Sequence, residues 1–202
     1  MTDSPKYIIG ISGASGVIYG INLLTHLIKK KARIYLVISS NGLSVLKEEM
    51  DLDWRGKEEE VNSLIKRYYN YPHITYFDEN NLTSCIASGS FYTDGMVIIP
   101  CSMKTLAGIT HGFTYNLIGR AADVIIKEKR PLILVPRETP LNEIHLSNML
   151  ALAKAGVNII PAMPAFYHNP ESIDGIVNFI VGRVLDSLKI KNDLYRRYTG
   201  KS

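Results

Sequence analysis

Apolar positions recur with two different periods along this chain, and the two alternate. Tyr7-Ile8-Ile9 is continuously apolar, whereas Val17, Ile18, Ile21, Leu23 and Leu24 recur at helical spacing. A strand, a glycine-serine turn over 10–16 and a helix are therefore expected in that order. Arg33-Ile34-Tyr35-Leu36-Val37-Ile38-Ser39 is rich in β-formers and reads as a second strand. A short helix is expected over 41–50, and a polar, amphipathic one at the surface over 58–69. Residues 78–84 read as a loop leading into Ala87-Ser88-Gly89-Ser90-Phe91. Residues 95–100 and 131–136 are unbroken apolar runs, as strands buried on both faces require, and 157–161 is a weaker third copy. Helical patterns separate these runs over 105–111, 116–127 and 145–155, and a last amphipathic helix is expected over 172–188.

This alternation predicts an α/β fold: a doubly wound, mostly parallel sheet with helices on both faces. Residues 1–188 are expected to form a single domain, and 189–202 a polar, basic tail. Ligands of such sheets bind outside the carboxyl ends of the strands. The candidate rim is then Ser12 to Ser15, Ser39, Ser102 to Thr105, Arg137-Glu138 and the stretch from Pro161 to Tyr167.

Composition narrows the chemistry. The chain has 202 residues and a net charge of +4, with its charges spread along the sequence rather than gathered into arms, so neither a nucleic-acid module nor a membrane partner is expected. No signal-peptide or membrane-span pattern is visible, and a cytoplasmic protein is expected. Cys85 and Cys101 form neither a disulfide framework nor a metal motif. His111, His145 and His168 lack ligand spacing, so no metal is assigned.

The turn itself carries most of the signal. Its glycines fall as G-x-x-G-x-x-G, unlike a dinucleotide fingerprint, and no Lys-Ser/Thr pair follows as in a P-loop. The second strand ends in serines and asparagine where an enzyme using NAD carries an acid for its ribose, which leaves a mononucleotide as the candidate. Glycines permit close approach to an anion, and a helix N-terminus offers it free N–H groups. Two hydroxyls, Ser12 and Ser15, remain unexplained. Cys101 reads as structural, with no histidine placed beside it. Between two prolines, Arg137 suits a phosphate clamp and Glu138 a proton carrier, although a solvated ion pair is the plainer alternative. Arg120 and Lys127 share one helix face, Arg183 stands in apolar company that demands a partner, and the Tyr167 phenol is a further hydrogen-bond donor.

Taken together, GISGASG, ASGSF, IIPCSMKTLAGITHG, the run from Asn116 to Gly156 and PAMPAFYHNPESIDGIVNFIVGRVLD resemble the UbiX-like flavin prenyltransferases, in register through nearly the whole chain. The resemblance implies a Rossmann-like flavoprotein fold and the transfer of a dimethylallyl group from dimethylallyl phosphate to reduced FMN, without a metal. The product, prenylated FMN, is the cofactor of UbiD-like decarboxylases. It further implies FMN contacts at Gly13, Ala14, Ser15, Ser39, Ser102, Met103, Lys104, Thr105 and Arg137. The prenyl phosphate would be held by Arg120, Lys127, Arg137, Glu138, Tyr167 and Arg183, with Ser15, Glu138 and Tyr167 in catalytic roles. Members are commonly homo-dodecamers with sites shared between subunits. Two alternatives stand beside this reading: an FMN-dependent cysteine-type decarboxylase and an FMN carrier or chaperone for a partner decarboxylase. The first typically has Asn where this chain has Pro164.

Overall fold

The computed structural model of the chain describes residues 4–167 and 169–197. In chain order, the strands are β1 Lys6–Ile11, β2 Arg33–Ile38, β3 Ile74–Asp78, β4 Gly95–Cys101, β5 Leu132–Pro136 and β6 Asn158–Ile159. The helices are α1 Val17–Lys29, α2 Ser40–Met50, α3 Glu58–Tyr69, α4 Met103–Thr110, α5 Leu117–Lys127, α6 Glu143–Lys154 and α7 Ile173–Ser187. The strands form one sheet in the order β3-β2-β1-β4-β5-β6, and every pairing is parallel.

Period-two alternation along each strand explains the two-sided burial. Tyr7, Ile9, Ile11, Val97 and Ile99 face a core shared with α1, α2, α3 and α7, while Ile8, Met96 and Ile98 face one shared with α4, α5 and α6. Both faces of β1 and β4 are therefore covered, which is why these strands, after Lys6 at the start of β1, have no charged position. The chain reverses direction across the sheet between β1 and β4. At that switch point α1 and α4, which follow the two strands, pass to opposite faces of the sheet, and a crevice opens outside the carboxyl ends of the strands.

The differences from the sequence reading sit at the edges. β3 was not anticipated: it is an edge strand whose Thr75, Phe77 and Asp78 are only half-buried, so its apolar signal is diluted. The run over 157–161 contributes only the two residues of β6, at the opposite edge. The surface helix α3 has the expected bounds, yet it buries Val61 and Ile65 in the same core as the fully enclosed Trp54. Beyond α7 the polar tail lies on its own chain. Ile190, Leu194 and Tyr195 pack against the core, and Asp186 accepts hydrogen bonds from Tyr195 Oη (2.6 Å), Asn192 Nδ2 (2.9 Å) and Arg197 Nη2 (2.6 Å). Burial alone would raise the Asp186 carboxyl, but these donors outweigh it and hold the group below its ordinary value. His168 and residues 198–202, part of the expected tail, lie outside the described residues.

Candidate functional site

The turn after β1 is built from glycine for two separate steric reasons. A Cβ on Gly13 would fall 2.4 Å from Asn41 Cβ, so α2 can approach the turn only if that position is bare. Gly16 lies at φ 97°, the left-handed region that favours glycine. The two serines divide the work. Buried Ser12 ties the neighbouring turns together: its Oγ donates to the Pro100 carbonyl at 2.9 Å and accepts from the Ser102 N–H at 2.7 Å. Its hydroxyl is therefore structural. Ser12→Ala is expected to cost about 1–3 kcal/mol, because a buried N–H and carbonyl lose their partner. Urea unfolding would measure this.

One element of the sequence reading is corrected here. The N-terminus of α1 is not free to receive an anion. Glu49 accepts from the Gly16 N–H (2.9 and 3.1 Å to its two oxygens) and from the Val17 N–H (3.1 Å). A carboxylate thirty-three residues away thus fills the position at which the motif offers its N–H groups to an anion.

The anion-seeking geometry lies instead across the crevice, a hollow of about 320 Å³. Three helices begin there. Ser39 Oγ caps α2 by accepting from the Gly42 N–H at 3.0 Å. Ser102 Oγ caps α4 by accepting from the Thr105 N–H at 3.2 Å, and Asn116 Oδ1 caps α5 by accepting from the Gly119 N–H at 3.0 Å. Their partial positive charges add at the same place. Lys104 lines the crevice as well, its ammonium 5.5 Å from the centre of the Tyr115 ring. Of the anticipated flavin contacts, Gly13, Ser39, Ser102, Lys104 and Thr105 line this hollow together. Ala14 and Met103 are buried in the elements that support it.

Arg137 and Glu138 leave β5 beside a second hollow of about 230 Å³, which they line with Leu141, Met149 and Pro161 to Met163. Arg137 Nε donates to the carbonyl of exposed Ser15 at 3.1 Å, so the β1 turn and the β5 turn are joined at one point. Arg137 also lies within electrostatic reach of the Tyr19 phenol, which burial pushes up and the guanidinium pulls back. Glu138 is exposed, and its Oε1 accepts from the Thr139 N–H at 3.0 Å. Cys101 is fully buried and burial drives its thiol far above the ordinary range, which suits a packing role.

The remaining phosphate candidates divide between the two faces of the sheet. Arg120, on α5, donates through Nε to the Ala87 carbonyl (3.2 Å) and pairs with Asp123 (3.0 Å). On the same helix, Lys127 lies 3.7 Å from Glu128. Arg183, on α7 and across the sheet, is exposed rather than enclosed by its apolar sequence neighbours, and it donates to Tyr195 Oη at 3.4 Å with Asp186 at 3.7 Å. Exposed Tyr167 sets its ring edge-on to Phe179, with centroids 6.0 Å apart. Neither pair lines either hollow.

Sequence reasoning missed several crevice residues: Ser40, Asn41, Glu79, Asn80, Tyr115 and Asn116. Asn116 was legible as a cap before a helical pattern. Glu79 was not, because it follows the unanticipated β3.

Comparison with known proteins gives a consistent result. The family model described as "Flavoprotein" matches residues 1–185. A flavin prenyltransferase UbiX from Alkalihalophilus pseudofirmus is 46% identical over 190 residues, covering 94% of each chain. The crystal structure of AnUbiX (PadA1) in complex with FMN and dimethylallyl pyrophosphate superposes with a TM-score of 0.87 at 38% identity, covering 99% of this chain and 100% of that one. A dodecameric FMN-dependent UbiX-like decarboxylase from Escherichia coli O157:H7 gives a TM-score of 0.85 at 43% identity, covering 96% and 100%.

Proposed function

The chain belongs to the UbiX flavin prenyltransferase family, and we propose that its β1–β4 crevice holds FMN while the Arg137–Glu138 hollow receives the prenyl donor, dimethylallyl phosphate. The protein is a flavin prenyltransferase. The observation that best supports the site reading is the meeting of three helix N-termini at one crevice, joined to the second hollow through the contact between Arg137 and Ser15. The residues present fit a flavin mononucleotide. Capped N-termini and Lys104 suit its phosphate, and the bare Gly13 turn provides a floor over which a flat ring can lie.

When bound, the reduced flavin supplies the electron-rich ring atoms that accept the prenyl group. The chain's own groups act on the donor. Breaking the allylic C–O bond leaves negative charge on the departing phosphate. Arg120, Lys127, Arg137, Tyr167 and Arg183 would neutralise that charge with preorganised donors. Glu138 would pass a proton to the leaving phosphate or take one from the ring as it closes, and Ser15 would hold the proton at the reacting nitrogen.

Because α5 and α7 cover opposite faces of the sheet, Arg120 and Lys127 of one chain would complete a site with Tyr167 and Arg183 of another. A homo-dodecamer, as in the Escherichia coli relative, would supply such neighbours. We further place the enzyme in the cytoplasm, with residues 1–188 acting as one FMN-binding unit and a UbiD-like decarboxylase receiving the product. Among the described residues, no helix is long and apolar enough to cross a membrane.

Incubating the purified protein anaerobically with reduced FMN and dimethylallyl phosphate should add a five-carbon unit to the flavin, read by mass spectrometry. An unchanged flavin mass, with FMN still bound, would favour the carrier reading.

A further inference from the structure

Glu79 is out of place on electrostatic grounds. In a crevice where three helix N-termini and Lys104 favour an anion, it contributes a carboxylate of the chain's own. One oxygen accepts from the Ser40 N–H (2.6 Å) and from the Ser40 hydroxyl, at the first turn of α2. The other accepts from Asn116 Nδ2 at 2.8 Å, while the Glu79 carbonyl accepts from the Leu117 N–H, the first of α5, at 2.7 Å. A single residue thus satisfies donors on two of the three helices. These are the donors that a phosphate monoester would use.

We propose that Glu79 is a specificity-determining residue that competes with the flavin's phosphate for the α2 N-terminus and so weakens the hold on FMN. The proposal rests on the flavin reading of the crevice. A phosphate dianion entering there either displaces the carboxylate from Ser40 or lies beside it against like-charge repulsion. Both routes lower affinity for FMN and leave affinity for riboflavin, which has no phosphate, unchanged. Such a cost suits an enzyme in which the flavin is a substrate whose product must depart, unlike one that keeps its flavin permanently.

Glu79→Gln removes the charge and retains a carbonyl oxygen to accept from Ser40. Titrating wild type and variant with FMN and with riboflavin, followed by flavin fluorescence, is the test. The variant should bind FMN about tenfold more tightly, with riboflavin changed by less than about twofold. Glu79→Ala, read in the same way, serves if the amide variant does not fold. Unchanged or weaker FMN binding, or equal tightening of both flavins, overturns the proposal and leaves the crevice assignment intact. If neither wild type nor variant binds FMN, the crevice assignment fails and the proposal with it.

Discussion

Replacing Glu138 with Gln is expected to leave FMN affinity within about twofold of wild type while lowering turnover by about 10²- to 10⁴-fold, the usual contribution of a positioned acid or base. The expectation of intact binding follows from placement. Glu138 lines the second hollow, whereas the donors that suit a flavin phosphate line the crevice. The variant is also structurally mild. The Glu138 carboxylate accepts from the Thr139 N–H, and a Gln side-chain oxygen accepts that hydrogen bond equally well. What the amide cannot do is carry a proton between the flavin and a departing phosphate. Anaerobic single-turnover assays with mass detection of the flavin, beside an FMN titration, separate the two effects. Wild-type turnover would remove the proton-transfer role. Loss of FMN binding would reassign Glu138 to the flavin site.

The features legible in the sequence were those whose cause is local. β4 and β5 were visible because burial on both faces leaves no polar position to interrupt them. The helix α3 was visible because its charges and its buried Val61 and Ile65 alternate at helical spacing. Ser39 and Ser102 were legible as strand-end positions, and the structure makes each the cap of the helix that follows. The edge strand β3 was hidden for the converse reason: it has one sheet neighbour and half-buried positions, so tertiary pairing, not pattern, makes it a strand.

The larger misreading concerned the anion site. A glycine turn before a helix looks the same whether its N–H groups are free or already satisfied, and nothing local reveals that Glu49 caps α1 from the far end of α2. Glu79 was hidden twice over, behind an unrecognised strand and in a role that runs against the charge expected there. The division of the basic residues was equally invisible. Arg120, Lys127, Tyr167 and Arg183 form one list in sequence, and only the assignment of α5 and α7 to opposite faces of the sheet separates them.

That separation leads to the second large effect. Lys127→Ala and Arg183→Ala, each purified alone, are expected to lose about 10²-fold or more in kcat/KM for dimethylallyl phosphate, since each removes a charged donor from a phosphate. Both side chains are half exposed, 52% for Lys127 and 53% for Arg183, so folding should survive. If one site takes Lys127 from one subunit and Arg183 from another, subunits dissociated, mixed equally and reassembled will regain activity. In random mixing each contributor is native at its own position half the time, so roughly a quarter of the sites receive both groups intact. If all the groups served within one chain, every site in the mixture would still carry one lesion and no activity would return. Recovery near a quarter of wild type therefore requires a shared site, whereas recovery near zero would require the two faces of a single chain to reach one phosphate. Arg120, held at Ala87 and Asp123, and Arg183, held at Tyr195 and Asp186 across the sheet, stand against that second outcome.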